Sequence, residues 1–118
     1  MVRVTLEVLS ARPRDIERAA RIVRAGGIVA FPTDTVYGLG CDPQNSKAIN
    51  KVLSVKGRRE KPLPILVASQ ELADQIAVMD SRARALASRF WPGPLTMVLK
   101  ARVHFPCSLT MGRKTIAV

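Results

Sequence analysis

The chain has 118 residues, with 19 lysines and arginines against 9 aspartates and glutamates, for a formal net charge of +10 at pH 7. Hydrophobic residues make up 47% of it, no apolar run is long enough for a membrane span, and Arg3 and Glu7 break up any signal peptide. We therefore expect one cytoplasmic domain with no membrane partner. The positive charge favours binding to phosphates, including those of tRNA or double-stranded RNA. The aromatic content of 4% excludes a surface on which the bases of a single strand would stack.

A strand and a helix are predicted at the start of the chain. Val4, Leu6 and Val8 alternate with polar residues, which is typical of a half-buried strand. Pro13 suits the first turn of a helix, and Gly26 suits the position just after its end. Between them, apolar residues recur at helical spacing: Ile16, Ala19 or Ala20, and Val23.

A polar segment follows the first candidate for a buried strand. The apolar run from Ile28 to Phe31 is short, and Pro32 ends it because proline cannot donate to a ladder. The segment Thr33-Asp34-Thr35 comes next, followed by Tyr37 and two glycines. Polar residues at the end of a buried strand are where open α/β sheets hold ligands. A plain glycine turn, with the threonines bonded only to backbone, is an alternative of about equal weight on this motif alone.

Helices and strands alternate along the rest of the chain. Ser46 is the predicted N-cap of a helix that runs toward Lys56, and Ser69 and Asp80 are the predicted caps of two more. The apolar stripe of the last helix would include Ala83, Leu86, Ala87 and Phe90. Strands are predicted over 63–68, 95–99 and 115–118. The pattern predicts an α/β fold, a twisted mixed open sheet flanked by helices.

A basic segment lies between the second predicted helix and the next predicted strand. It reads Lys56-Gly57-Arg58-Arg59-Glu60-Lys61. Lysine is a compact cation that can follow a moving phosphate charge, and arginine offers a fixed fork for phosphate oxygens. If the segment is extended, Lys56 and Arg58 project on the same side. The alternative is a solvated basic loop.

Other common sites have little support in the sequence. Cys41 and Cys107 lie far apart without neighbouring metal ligands, so we interpret both as reduced, partly buried side chains and expect no metal site. His104, the only histidine, is predicted on the surface or in a loop. No Walker loop is present, and Gly38-Leu39-Gly40 lacks the third glycine of a dinucleotide fingerprint.

Three ordered motifs together resemble the threonylcarbamoyl-AMP synthase family, which has a YrdC-type domain. The stretch from Pro32 to Leu39 resembles its P-T-[DE]-T-V-Y-G-L segment, Lys56 to Arg58 resembles its K-x-R, and the third motif is Trp91 to Thr96. The resemblance runs from about Ile16 to Val118. It implies a YrdC-like fold in a single domain over 1–118, with the C-terminal part of the family domain absent.

The resemblance implies an enzyme, a nucleotidyltransferase called L-threonylcarbamoyladenylate synthase. Such an enzyme forms threonylcarbamoyl-AMP and pyrophosphate from L-threonine, bicarbonate and ATP, for tRNA threonylcarbamoyladenosine modification. Its product passes to a downstream tRNA-modifying threonylcarbamoyl transferase. Mg²⁺ would enter with ATP. Asp34 and Asp42 are candidates to assist it, but Mg²⁺ usually relies on substrate phosphates and takes few protein ligands.

The resemblance also implies roles for individual residues. Lys56 and Arg58 would be catalytic, neutralising charge on the phosphates as pyrophosphate leaves. The nucleotide-binding set would be Lys56, Arg58, Lys61 and Thr115. The threonine-binding set would be Thr33, Thr35 and Tyr37, with Thr35 the better match to the family.

Two other functions remain open at this point. The net charge of +10 favours a catalytically incomplete module that binds double-stranded RNA or tRNA. The motif set is also shared with the carbamoyl-transfer domain of hydrogenase maturation proteins.

In the threonylcarbamoyl-AMP synthase family, relatives continue beyond the position of Val118. They have an arginine there that binds the threonine carboxylate, and a later S-A-N segment.

Overall fold

The computed structural model describes residues 6–57 and 61–118, which contain both helices and short strands. This mixture of helices and strands confirms the predicted α/β class. In chain order the elements are α1 Pro13–Arg24, β1 Val29–Phe31, β2 Gly38–Gly40, α2 Ser46–Lys56, α3 Gln70–Ile76, α4 Ser81–Phe90, β3 Val98–Lys100, α5 Cys107–Thr110 and β4 Thr115–Ala117.

The strands of the described ranges form two separate antiparallel ladders. In the first, β1 pairs with β2 and Val29 lies opposite Gly40. In the second, β3 pairs with β4 and Val98 lies opposite Ala117. The predicted single sheet of mixed direction is therefore not found in this part of the chain. Pro32 follows β1 directly and limits it to three residues.

The strand predicted over 63–68 is extended backbone without a regular ladder. Ile65 N donates to Ala117 O at 2.8 Å, which joins the segment to β4. Leu63 N also donates, to Leu109 O at 2.9 Å, whereas Pro62 and Pro64, which alternate with these donors, have no N–H to donate on the opposite side.

The strand predicted over Val4 to Val8 is wrong where the structure describes it. Positions 4 and 5 lie outside the described residues, and Leu6 and Val8 are 86% and 94% exposed and belong to no strand. Glu7 instead accepts a hydrogen bond from Arg18 Nη2 of α1 at 2.9 Å. That hydrogen bond lowers the pKa of Glu7 below its usual value. Alternation predicts an extended segment but not the partner strand that would bury its apolar side.

Local signals set the ends of the helices largely as predicted. α1 begins at Pro13, and Gly26 follows its end with a φ of 91°. Ser69 and Asp80 cap α3 and α4 through their side chains. For α2 the cap is Asn45 rather than Ser46, and its side chain accepts from Ala48 N at 3.1 Å. Asparagine and serine cap helices about equally well, so two adjacent candidates could not be separated by sequence.

The buried side chains of the described residues lie at position 48 or later, and most of them form two clusters. The first contains Ile49, Leu63, Ile65, Ala77, Phe105, Leu109, Ile116 and Val118. The second contains Ala73, Met79, Ala83, Ala87 and Met97. Leu86 and Phe90, predicted to face inward, are 44% and 48% exposed, because only the alanine face of α4 packs against the core.

The cysteines and the histidine differ in how well they follow the predictions. Cys41 is partly buried as predicted, and this burial raises the pKa of its thiol. Cys107 is exposed, which contradicts its predicted burial, since it opens α5 on the solvent side. His104 lies exposed in a loop, as predicted.

None of the helices in the described ranges has the length and apolar content that crossing a bilayer requires.

Candidate functional site

An open cavity of about 840 Å³ lies between the polar loop after β1 and the second part of the chain. One side is the loop Thr33–Thr35. The other side is formed by the extended segment at 64–70, the end of α4, the turn at 91–96, and Val118. The cavity thus brings together the first and third of the motifs found in the sequence. Its size suits a small-molecule ligand.

The loop carries two threonines with different hydrogen bonds. The Thr33 hydroxyl donates to Val36 O and accepts from Thr35 N at 3.2 Å, so it shapes the turn. The Thr33 hydroxyl therefore bonds to the backbone, which is one of the two roles predicted for these threonines. The Thr35 hydroxyl lies 3.5 Å from the Thr33 hydroxyl, and in the described part of the chain it has no other side-chain hydrogen bond. Thr35 is the threonine whose hydroxyl is available to a ligand.

Close packing in the β1–β2 hairpin fixes the ends of this loop. The ring of Phe31 lies across Gly38 and Gly40, where an added Cβ would come within 2.9 Å of it. Side chains at these positions would push the ring or the strand away. The glycines that follow the polar segment therefore serve hairpin packing.

The turn at 91–96 forms the facing wall and is held by Trp91. The Trp91 indole Nε1 donates to Leu95 O at 2.8 Å, closing the turn. At its centre, a Cβ on Gly93 would lie 2.4 Å from Phe90 O, so only glycine fits without a backbone shift. The sequence motif marked this turn, but it gave no reason to place Trp91 in the site.

Two helices support the cavity wall through an ion pair. Arg84 Nη2 of α4 lies 2.7 Å from Asp74 Oδ1 of α3. Arg84 also donates to Met79 O at 3.1 Å. Gln70 of α3 and Ser88 of α4 both line the cavity, and sequence reasoning singled out neither. Their helices were predicted, but which turn of each would meet the cavity depends on tertiary packing.

Lys56 is placed differently from its predicted geometry. It is the last residue of α2, and Gly57 follows with a φ of 80°. The extended backbone assumed for Lys56 and Arg58 is therefore wrong at Lys56, because α2 continues through it. Arg58 lies outside the described residues.

Four of the predicted site residues lie outside the cavity lining. Tyr37 is 76% exposed, Lys56 and Lys61 are exposed, and Thr115 is half-buried in β4. None of these four is among the residues that line the cavity. Of the predicted residues that lie within 6–57 and 61–118, only Thr33 and Thr35, with Asp34 between them, line this cavity.

The carboxylates near the loop fit a metal ion that arrives with its substrate. Asp34 lines the cavity, whereas Asp42 Oδ1 accepts from Gln44 N at 2.9 Å within a turn. Residues 6–57 and 61–118 contain no group of three or more His, Cys, Asp or Glu side chains placed to hold a metal. A single carboxylate fits a Mg²⁺ ion that is bound mainly by substrate phosphates.

Comparisons with known proteins agree on one family. Residues 21–118 match the Sua5/YciO/YrdC family model, described as telomere recombination. The chain is 42% identical over 109 residues to threonylcarbamoyl-AMP synthase of Halorhodospira halophila, covering 91% of this chain and 57% of that protein. It is 37% identical over 113 residues to the Bacillus subtilis synthase, covering 93% and 33%. The chain thus spans about half or less of these relatives.

Solved structures show the same likeness. Pyrococcus abyssi Sua5 in complex with L-threonine superposes with a TM-score of 0.83 at 43% identity, covering 89% of this chain and 32% of that one. Escherichia coli YciO gives a TM-score of 0.77 at 28% identity, covering 90% and 52%. These neighbours confirm the predicted YrdC-like α/β fold.

Proposed function

The chain belongs to the Sua5/YciO/YrdC family, and on that premise we propose that it forms part of the active site of an L-threonylcarbamoyladenylate synthase. The observation that carries the proposal is the cavity between Thr33–Thr35 and the turn at 91–96. Two motifs that are distant in sequence meet there around a space of ligand size. The synthase names of the relatives favour this function over carbamoyl transfer.

We assign the amino-acid end of the substrate to the loop side of the cavity. Thr35 offers a hydroxyl for the threonine or its carbamate, and Thr33 holds the turn that presents it. Tyr37 follows on the same loop and is exposed, so its proposed contact requires threonine to extend beyond the lined cavity. Sua5 of P. abyssi was solved with L-threonine bound, which supports this amino acid as the ligand class.

The nucleotide end of the site is assigned to the cations and to Thr115. Lys56, Lys61 and Arg58 would hold the ATP phosphates, and Thr115 would lie beside the nucleotide. The carbamate oxygen of N-carboxy-threonine would attack the α-phosphate, pyrophosphate would leave, and no covalent enzyme intermediate forms. The protein's contribution is to hold two anions together and to neutralise the leaving charge. Mg²⁺ would enter with ATP, and Asp34 would offer it a carboxylate from the cavity lining.

A chimera provides the test. This chain replaces the matching part of the H. halophila synthase, and pyrophosphate release is measured with ATP, bicarbonate and threonine. We expect threonine-dependent release, which Lys56→Ala lowers about ten- to a thousandfold, the usual effect of losing one charge-stabilising donor. Lys47→Ala, an exposed lysine in the first turn of the same helix, is the matched control and should leave the rate unchanged. A folded chimera without threonine-dependent release would contradict the proposal.

Binding of tRNA or double-stranded RNA is a second candidate function. The arginines of α1, including Arg14, Arg21 and Arg24, are exposed on a chain of net charge +10. We expect RNA affinity to fall steeply between about 50 and 200 mM salt, because bound phosphates release counterions. Affinity that does not change with salt in a filter-binding assay would exclude this function.

A further inference from the structure

Two arginines from different parts of the fold converge on one carboxylate outside the cavity. Asp74 Oδ1 of α3 lies 2.7 Å from Arg84 Nη2 of α4 and 3.7 Å from Nη2 of Arg102, which follows β3. None of these three residues lines the cavity, and we call them the arginine cluster. Within 6–57 and 61–118, Asp74 is the only carboxylate that pairs with either guanidinium, so the cluster carries one excess positive charge.

Backbone oxygens hold both guanidiniums of the arginine cluster in place. Arg84 Nε donates to Met79 O at 3.1 Å, and Arg102 Nε donates to Ala77 O at 3.4 Å. These hydrogen bonds fix the two guanidiniums while their terminal nitrogens approach the same oxygen of Asp74. The two terminal nitrogens therefore lie close enough together for a single phosphate to contact both. Arginine also presents its donors in a planar fork that matches phosphate oxygens.

The fold does not depend on the Arg102 side chain to join the segments that meet here. Backbone hydrogen bonds already join them, from Arg102 N to Ile76 O at 2.8 Å and from Val78 N to Lys100 O at 2.9 Å. The side chains of Arg84 and Arg102 are 48% and 49% exposed, so ion pairs between them and Asp74 add little to stability. Their exposure also leaves the remaining N–H groups of both guanidiniums accessible to a ligand.

We propose that the arginine cluster is a phosphate-binding site separate from the candidate cavity. Asp74 orients the two guanidiniums, and their remaining N–H groups donate to the phosphate oxygens. The phosphate comes from an RNA backbone or from free phosphate in solution, and the net charge of +10 attracts either one. The RNA source rests on the second function proposed above, whereas the phosphate site itself does not. Neither source depends on threonine-dependent pyrophosphate release, so binding and catalysis can be tested separately.

The experiment titrates the 118-residue chain with a short RNA duplex and, separately, with inorganic phosphate in a calorimeter. Arg102→Gln should weaken duplex binding about tenfold and lower the slope of log affinity against log salt by about one, because one phosphate contact is lost. Asp74→Asn keeps the side-chain shape but removes the competing negative charge, so it should strengthen binding of both probes about two- to fivefold. Arg89→Gln is the matched control, since Arg89 is an exposed arginine of α4 outside the cluster, and it should leave binding unchanged.

The outcomes separate the site from its ligand. Equal losses for Arg102→Gln and Arg89→Gln, no gain from Asp74→Asn, or no binding of either probe would overturn the proposal. Phosphate binding that responds to these variants, without duplex binding, would support the site and count against RNA as the source. Duplex binding that none of the variants alters would overturn the site and leave the second function standing. If Arg102→Gln unfolds the chain, Asp74→Asn decides, because a purely structural cluster would not bind phosphate more tightly without its carboxylate.

Discussion

Residues 6–40 and residues 41–118 differ in where their apolar side chains lie. The first region contains α1 and the β1–β2 hairpin, and none of its residues is buried. The second region, described except for 58–60, contains both core clusters. The comparison indicates that the second region supplies most of the stability of the fold, whereas the first presents the Thr33–Thr35 loop to the cavity.

Truncating one isoleucine in each region should give the largest difference. Ile49 is 0% exposed and Ile16 is 57% exposed. We expect Ile49→Ala to lower the free energy of unfolding by about 2–5 kcal/mol, through lost burial and a new cavity. For Ile16→Ala the expected loss is below about 1 kcal/mol. Urea unfolding followed by circular dichroism measures both, and similar losses would show that the two regions do not differ as described.

Adding one methyl group to a glycine should have the next largest effect. In Gly93→Ala the Cβ would meet the Phe90 carbonyl oxygen at 2.4 Å, a backbone atom that cannot move alone. We expect a loss of about 1–3 kcal/mol from this overpacking. In Gly40→Ala the Cβ would meet a ring atom of Phe31 at 2.9 Å, and the ring can move. In thermal unfolding, Gly93→Ala should therefore lower Tm more than Gly40→Ala does. The reverse order would mean that the β1–β2 hairpin is more rigid than the turn at 91–96.

Removing the cap of α2 should have a moderate effect. The Asn45 side chain accepts from Ala48 N, and both Ala48 and Ile49 are buried in the first turns of the helix. We expect Asn45→Ala to lower the free energy of unfolding by about 0.5–2 kcal/mol, and Asn45→Asp to retain most of the stability. If Asn45→Ala unfolds at the same urea concentration as the wild type, Ser46 would be the effective cap, as the sequence suggested.

Lowering the pH should change stability least among these tests. One aspartate from each region, Asp15 and Asp80, can be compared through the pH dependence of Tm. The pKa of Asp80 is lowered, first by the hydrogen bond from Ala83 N, and the pKa of Asp15 is lowered by hydrogen bonds from Ser10. A carboxyl whose folded-state pKa is depressed stabilises the fold above its unfolded pKa, and this stabilisation is lost as the pH falls through the folded pKa. We expect Asp80→Asn to flatten the acid dependence of Tm more than Asp15→Asn, because Asp80 caps α4, which packs buried alanines against the core, whereas α1 has no buried residue. An equal change for the two variants would contradict the regional difference.

Sequence reasoning succeeded where a local signal decides the structure. Pro13, Ser69 and Asp80 start helices through their own backbone or side chains, so each could be placed without tertiary information. It failed where a distant partner decides. Leu6 and Val8 alternate like a strand but have no neighbouring strand in the described part of the chain.

In the candidate site, too, local sequence signals could be predicted, whereas features that depend on distant partners could not. The motifs predicted that Thr33 and Thr35 would follow a strand, and the structure places them on the cavity. The wall contributed by Trp91 and Gln70 could not be predicted, because it depends on how α3, α4 and the turn at 91–96 pack together. The phosphate-binding roles of Lys56 and Arg58 stay predictions that come from the family resemblance.

The most direct test of the account is the threonine KM of the chimera carrying Thr35→Val. Valine keeps the shape of threonine but lacks the hydroxyl, and Thr35 is exposed, so the fold should be unaffected. We predict an increase in the threonine KM of about ten- to a hundredfold, which corresponds to about 1–3 kcal/mol for a lost hydrogen bond to a charged ligand. An unchanged KM with an unchanged Tm would show that the cavity at Thr33–Thr35 is not where threonine binds.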